Sequence, residues 1–158
     1  MTKTKIVLVG RGGSGKDYLR KKMMERGMKF SVSYTSRPPR EGEVQGKDYK
    51  FTTKEFFEEF PDSFYECIKF NGWYYGTLKS DFEKDDLFIM TPGGIKHIKP
   101  EDRRSCFIIY LNPPEEVIKK RLEERKGMAD SVERRIAADN NDFADFTDYD
   151  MMVTNSDF

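Results

Sequence analysis

A strand, a glycine-rich turn and a helix follow one another at the start of the chain. Residues 4–9 form a short apolar run that predicts a buried strand, and residues 15–26 have apolar side chains at helical spacing. Between them, GRGGSGKD at residues 10–17 matches the pattern G-x-x-x-x-G-K. The glycines allow successive backbone N–H groups to turn inward around the oxygens of an anion. The arrangement therefore predicts a phosphate-binding loop, and the alternative is a flexible glycine-rich turn.

The loop pattern also predicts which groups hold the phosphates. Its glycines, serine, lysine and aspartate are Gly10, Gly12, Gly13, Ser14, Gly15, Lys16 and Asp17. The positive end of the following helix would attract the anion, and Lys16 would reach the terminal phosphates. Asp17 stands where the pattern has the Ser or Thr that usually binds Mg²⁺. Because a carboxylate is also a hard-oxygen ligand, we expect Asp17 to touch Mg²⁺ directly or through water.

Strands that alternate with helices predict an α/β fold with a parallel sheet covered on both faces. Thr52 and Glu55 form a capping-box pattern before a short helix that ends near residue 60, and Asn71-Gly72 predicts a type I′ hairpin turn. Two later helices are expected, one after residues 113–114 and one that ends near residue 144. The remaining predicted strands are residues 30–34, 65–70, 73–77, 87–91, 106–111 and 149–154. The hairpin-rich part, residues 31–78, reads as an insertion into the parallel sheet.

Composition excludes several classes of function. The chain has 158 residues, enough for one domain, and its 28 basic and 28 acidic side chains give zero net charge. A neutral chain does not coat nucleic acid or an anionic membrane, and no apolar run approaches the ~20 residues of a membrane span. Cys67 and Cys106 are too few for a disulfide scaffold, and one histidine adds too little for a zinc site. We expect a cytoplasmic monomer or homodimer with no nucleic-acid or membrane partner.

A second cluster of candidate residues lies in the insertion. Arg37 and Arg40 are three residues apart in a proline-rich turn, where their forked donors would grip one phosphate. Glu66 and residues 74–77, YYGT, would face the same cavity if the hairpin folds back. A carboxylate that accepts two parallel N–H bonds suits the N1–H and 2-amino edge of guanine. The alternatives are solvated surface arginines and an exposed carboxylate on a strand.

Several ordered segments resemble the guanylate kinase family. They are SVSYTSRPPREGEVQGKDYKF at residues 31–51, the YYGT turn, RLEER at residues 121–125 and DYDMMVTNSD at residues 148–157. The resemblance runs from about residue 5 to residue 157 and implies a P-loop kinase fold. Its core, a parallel sheet flanked by helices, would comprise about residues 1–30, 79–125 and 132–158. A mixed α/β nucleotide-monophosphate-binding subdomain would occupy residues 31–78, and a short lid residues 125–133, with its tip at 126–130.

The resemblance also implies transfer of the γ-phosphoryl group of ATP, with Mg²⁺, to GMP or dGMP. The implied catalytic residues are Lys16, Arg37, Arg125 and Arg135, with Arg121 able to assist. The implied acceptor-phosphate ligands are Arg37, Arg40, Tyr49 and Tyr75. Guanine would contact Ser33, Glu66 and Thr77, beside Gly76, and Asn155 would lie near the donor nucleotide.

One departure from the family concerns the strand predicted at residues 87–91. Guanylate kinases usually carry two acidic residues at its end, one that holds Mg²⁺ through water and one that reads the guanine 2-amino group. Here the segment reads LFIMTPGGI, with Thr91 as the nearest polar residue. We expect Asp17 to compensate on the metal side, and Glu66 to discriminate guanine less strongly.

Two other functions remain open from the sequence. A broader (deoxy)nucleoside monophosphate kinase would explain the missing acids. A non-catalytic guanylate kinase-like module would use Arg37, Arg40 and Tyr49 to bind a phosphorylated peptide. The intact Gly15-Lys16 pair and the lid arginines favour an enzyme.

Overall fold

The computed structural model describes residues 3–70, 72–125 and 131–155. Within these ranges the strands are β1 (Lys5–Gly10), β2 (Tyr34–Thr35), β3 (Lys50–Phe51), β4 (Phe64–Phe70), β5 (Trp73–Leu78), β6 (Leu87–Ile89), β7 (Cys106–Leu111) and β8 (Met151–Val153). The helices are α1 (Lys16–Glu25), α2 (Lys54–Glu59), α3 (Lys79–Lys84), α4 (Pro92–Ile95), α5 (Pro100–Arg103), α6 (Glu115–Glu124) and α7 (Val132–Phe143). A short 3-10 turn, Pro61–Ser63, precedes β4.

The core sheet has the strand order β6-β1-β7-β8, and every neighbouring pair is parallel. Its central strand β1 is buried on both faces, so successive residues there are apolar instead of alternating with polar ones. Val7 and Val9 join the cluster that includes Tyr110 and the aromatic side chains after α7. Leu8 faces the other way, towards Leu19 of α1. The α/β class with a parallel sheet flanked by helices is confirmed.

A second sheet with the order β3-β2-β5-β4 is built from residues 34–78. Its β2–β3 pair is parallel, while β5 is antiparallel to both β2 and β4, so the sheet is mixed. Aromatic rings cover it: the ring of Phe57 in α2 stacks on those of Phe64 and Tyr74, with centroids 5.0 and 5.2 Å apart. The hairpin from β4 to β5 is present as predicted, but Asn71 of its turn lies outside the described residues.

Several local predictions were wrong in extent. The strand predicted at residues 30–34 is instead a crossing between sheets, because Phe30 bridges to Leu87 of the core sheet whereas Tyr34 pairs with Gly76 of the second sheet. Thr53, and not Thr52, caps α2 by accepting a hydrogen bond from the backbone of residue 56 at 3.2 Å. The short helices α3, α4 and α5 were not predicted, since four to six residues are too few to show helical periodicity.

In the parts of the chain that the structure describes, no helix is both long and apolar enough to cross a membrane.

Candidate active site

Two adjoining cavities lie beside the loop at residues 10–17. The first, here called the insertion cavity, is bounded by insertion residues including Ser33, Arg37 and Glu66. The second, here called the loop cavity, is bounded by residues 12–17 and by the arginines that end α6. Six residues line both cavities, namely Lys16, Asp17, Arg40, Tyr49, Ile89 and Arg135. A ligand in one cavity would therefore meet a ligand in the other at these shared residues.

The loop between β1 and α1 has the tight backbone that its glycines predict. Gly13 and Gly15 have positive φ angles of 78° and 102°, in the region that favours glycine. A Cβ on Gly10 would lie 2.5 Å from Ser14 Oγ and 2.7 Å from the carbonyl oxygen of Leu111, so a side chain does not fit there. Lys16 folds back, and its ammonium donates hydrogen bonds to the Gly10 carbonyl and to the Arg11 carbonyl, the latter at 3.5 Å.

Several cationic side chains line the two cavities, and three of them, Lys16, Arg40 and Arg135, line both. Burial and the positive charge of Arg135 lower the pKa of Lys16 to about 8. Burial and the charges of Arg37, Arg125 and Arg135 lower the pKa of Arg40 to about 10. Burial and Arg135 also lower the pKa of Arg125. The positive charges of this cluster repel one another, and a bound anion would offset that repulsion. The cluster is therefore suited to polyanionic ligands.

The turn that holds Arg37 is fixed by Glu43. Arg37 is 4% exposed, and its two terminal nitrogens donate to the Glu43 carboxylate at 2.9 and 3.1 Å. The same carboxylate accepts the backbone N–H of Arg40 at 2.7 Å, so it organises both arginines. Burial opposes the charge of Arg37, but the bonds to Glu43 outweigh it and raise the arginine pKa. Its guanidinium lies 5.1 Å from the centroid of the Tyr49 ring.

Glu66 forms the acidic end of the insertion cavity. It is 5% exposed and lies opposite Thr77 across the β4–β5 pair, where it accepts the Thr77 hydroxyl at 2.7 Å. Burial raises the pKa of Glu66 to about 7, against the opposing effects of the Thr77 hydrogen bond and of His97. A Cβ on Gly94 of α4 would lie only 2.8 Å from Glu66 Oε2, so a glycine there leaves room for the carboxylate.

Most of the predicted site residues line these cavities. Those that do are Gly10, Gly12, Gly13, Ser14, Gly15, Lys16, Asp17, Ser33, Arg37, Arg40, Tyr49, Glu66, Tyr75, Arg121, Arg125 and Arg135.

The structure does not bring three of the predicted residues, Gly76, Thr77 and Asn155, into the lining of either cavity. A Cβ on Gly76 would lie 2.6 Å from the Phe64 ring, so this glycine serves packing. Thr77 lies behind Glu66 and holds it. Asn155 follows β8 at the edge of the core sheet. The expected lid tip, residues 126–130, lies outside the described residues.

Asp17 pairs with Arg20, a contact that the loop motif does not predict. Its side chain is 75% exposed, and one carboxylate oxygen lies 3.4 Å from Nε of the buried Arg20. The Arg20 guanidinium also lies 3.5 Å from the Asp48 carboxylate, so Arg20 links α1 to the insertion. No group of three or more His, Cys, Asp or Glu side chains among the described residues is arranged to hold a metal. Asp17 can therefore offer one carboxylate to a cation whose other ligands come from elsewhere.

The carboxylates of α7 were also missed. Asp139 is fully buried beside the loop, and Asp142 lines the insertion cavity, where burial and the charge of Asp139 raise its pKa. The sequence contained a signal, because Asp139 lies at i+7, i+4 and i−4 from Val132, Arg135 and Phe143, on one stripe of the helix. At the end of β6, Thr91 accepts the Gly94 N–H at 3.0 Å and so caps α4.

Comparisons with known proteins point to one family. A family model described as "Guanylate kinase" matches residues 2–158. The guanylate kinase of Onion yellows phytoplasma is 38% identical, over 96% of this chain and 78% of its own length. That of Rickettsia felis is 34% identical, over 97% of this chain and 85% of its own. A solved guanylate kinase from Anaplasma phagocytophilum shares the fold with a TM-score of 0.75 at 22% identity, covering 98% of this chain and 78% of that one.

Proposed function

Because the chain belongs to the guanylate kinase family, we propose that it transfers the γ-phosphoryl group of ATP to the phosphate of GMP or dGMP. The observation that carries this proposal is the cation cluster shared by the two cavities. The loop cavity would take the phosphates of ATP, and the insertion cavity would take the monophosphate. Their phosphates would then meet at Lys16, Arg40 and Arg135.

On the donor side, the backbone of residues 10–15 and the ammonium of Lys16 would hold the ATP phosphates. The positive φ angles of Gly13 and Gly15 are of the kind that turns successive N–H groups into an anion-binding concavity. The N-terminus of α1 adds its partial positive charge. Lys16 would exchange its bonds to the loop carbonyls for bonds to phosphate.

On the acceptor side, a phosphate would lie between Arg40, Tyr49 and Tyr75, with Arg37 held beneath them by Glu43. The base would extend past apolar walls towards Ser33 and Glu66. In its ionised form the Glu66 carboxylate accepts both the N1–H and the 2-amino hydrogen of guanine. Thr77 acts on the base indirectly, because its hydroxyl orients Glu66.

The transfer itself needs alignment and charge neutralisation more than covalent help from the protein. The acceptor phosphate is already anionic at neutral pH, so no general base is needed. Lys16, Arg37, Arg125 and Arg135 would offset the charge that spreads over the transferred group. Arg121 donates to the Gly13 carbonyl at 3.0 Å and so steadies the loop.

Asp17 is the residue that would hold Mg²⁺, because its exposed carboxylate lines both cavities. Mg²⁺ usually takes one or two carboxylates together with phosphate oxygens and water, which suits a single acid at this place. When bound, the ion supplies charge neutralisation at the phosphates of ATP. Arg20 offsets the charge of Asp17 on the protein side.

Residues 125–133 would close over the site as a lid and exclude water from the reaction. We propose that the protein acts in the cytoplasm as a monomer or homodimer. It would bind nucleotides but neither nucleic acid nor membranes.

The test is ADP release from ATP and Mg²⁺ with each of GMP, dGMP, AMP, dTMP, CMP and UMP. Turnover with GMP or dGMP alone supports the proposal. Position 91 is a threonine and not an acid, which favours a second candidate function, that of a broader monophosphate kinase. Turnover with several bases would support this second function. GMP binding without turnover would indicate a binding module.

A further inference from the structure

We propose that Asp139 of α7 is a positioning residue that holds Arg135 against the phosphate-binding loop. The inference rests on the proposed function, in which Arg135 neutralises the transferred phosphoryl group. It assigns a role to a buried acid that lies outside the motifs of the sequence.

The contacts form a junction between the loop and α7. Asp139 is 1% exposed, and its Oδ2 atom accepts the backbone N–H of Gly12 at 2.8 Å. The same oxygen lies 3.3 Å from Nε of Arg135, one helical turn earlier. A Cβ on Gly12 would lie 3.3 Å from both the carboxylate oxygen and Nε, so the two side chains lie directly on the loop.

Arg135 is held on a second side by the insertion. Its guanidinium lies 5.5 Å from the centroid of the Phe70 ring, which lines the insertion cavity. Asp139 engages Nε, so the terminal nitrogens are the atoms with which Arg135 would meet a phosphate. A long arginine side chain fixed at Nε and across its face is oriented before substrate arrives, and orientation of this kind acts on the chemical step.

The charge of Asp139 distinguishes positioning from simple packing. A buried carboxylate is tolerated when it is hydrogen-bonded and paired, as Asp139 is by Gly12 and Arg135. Its negative charge lies near Lys16, whose pKa it raises against the lowering effects of burial and Arg135. Removal of this charge would therefore favour the binding of ATP while it frees Arg135 from its fixed position.

Asp139→Asn is the main test, because the amide oxygen still accepts the Gly12 N–H while the ion pair to Arg135 is lost. We expect kcat with GMP to fall roughly 10- to 100-fold. The KM for ATP should stay unchanged or fall, and Asp139→Glu should recover part of the kcat. A packing role alone predicts the opposite pattern, in which KM for ATP rises and kcat is retained.

The matched control is Asp145→Asn, which removes an exposed carboxylate just after α7 and should leave kcat and KM unchanged. Thermal melting of each variant shows whether it is folded. If Asp139→Asn does not fold, Arg135→Lys tests the same contact, because it keeps the positive charge but removes the Nε donor. It should then show the same loss of kcat with KM for ATP unchanged, and retained kcat would overturn the inference.

A double-mutant cycle separates this inference from the proposed function. In an Arg135→Ala background, Asp139→Asn should cost almost nothing further. If Arg135→Ala lowers kcat but Asp139→Asn does not, or if the two losses multiply, the positioning role is wrong and the function stands. If Arg135→Ala leaves kcat unchanged, the role of Arg135 in transfer and the inference both fail.

Discussion

At the scale of single residues, we expect base recognition to depend on the space around Glu66. Its carboxylate is held by Thr77 on one side and bounded by the backbone of Gly94 on the other. Neither Thr91 nor another residue at the end of β6 adds a carboxylate there. A displacement of Glu66 should therefore affect GMP directly, without a second acid from that strand to compensate.

Gly94→Ala should weaken GMP binding, because the new Cβ would stand 2.8 Å from Glu66 Oε2. Loss of one buried hydrogen-bond pairing costs roughly 1–3 kcal/mol, which corresponds to a rise in KM of about 5- to 150-fold. Gly93→Ala is the matched control, since its Cβ would meet Ile68 at an ordinary 3.7 Å. Steady-state KM values for GMP decide the matter, and equal values for the two variants would contradict this assignment.

The raised pKa of Glu66 predicts a pH dependence. Burial raises this pKa to about 7 from its ordinary 4.5, so the free protein ionises Glu66 only as pH rises through about 7. The KM for GMP should therefore fall between pH 6 and pH 8. Between pH 4.5 and about 7 the folded state binds more protons at Glu66 than the unfolded state does. The free energy of unfolding of the ligand-free protein therefore falls as pH rises through this range.

Glu66→Gln provides the control for that pH dependence. A nucleotide phosphate itself titrates near pH ~6, and this titration remains in the variant. The wild-type profile minus the Glu66→Gln profile isolates the carboxylate. Parallel profiles would mean that Glu66 does not titrate at the base.

At the scale of elements, the side chain of Glu43 orders the turn that carries Arg37 and Arg40. Glu43 binds the guanidinium of Arg37 and the backbone of Arg40, so the turn is shaped before a phosphate arrives. Glu43→Gln should raise the KM for GMP several-fold, since an interaction of about 1 kcal/mol changes affinity roughly fivefold. Glu41→Gln, at an exposed position of the same turn, should have no effect on KM.

The sequence was most informative where an element has a long, regular pattern or a fixed motif. It predicted β1, the loop and α1 within a residue, because the apolar run and the glycines impose one local geometry. It failed at Phe30, where the chain leaves one sheet for another, since a strand-like residue can pair in either. The sequence indicated that Thr77 contacts the base, whereas its hydroxyl contacts Glu66, and it gave no role to Asp139, which contacts Gly12. Both contacts join elements that are distant in sequence, so local patterns do not reveal them.

At the scale of the whole molecule, the buried side chain of Arg20 connects α1, which packs on the core sheet, to the insertion that holds the second sheet. Arg20 lies between Asp17 of α1 and Asp48 of the insertion, with its guanidinium 4.8 Å from the centroid of the Phe30 ring. The chain has zero net charge, and at the two cavities acids pair with individual cations: Glu43 with Arg37 and Asp139 with Arg135. We therefore expect stability and catalysis to depend on the same paired groups.

Arg20→Met should destabilise the fold, because it leaves two carboxylates near the cleft without their shared cation. The carboxylates that remain are 75% exposed at Asp17 and 22% exposed at Asp48, so water offsets much of the lost pairing and the cost should be about 1 kcal/mol. Urea denaturation measures the loss, with Arg26→Met as an exposed control from the same helix region. Equal stability of the two variants would show that Arg20 contributes no net pairing energy.

We expect phosphates bound in the two cavities to meet at one cation cluster. This expectation is tested by incubating the protein with γ-labelled ATP, Mg²⁺ and GMP and separating the labelled products. We expect the label to move into GDP, and this transfer to be lost in Arg135→Ala while GMP still binds. Label that remains in ATP, or that appears only as inorganic phosphate, would contradict it.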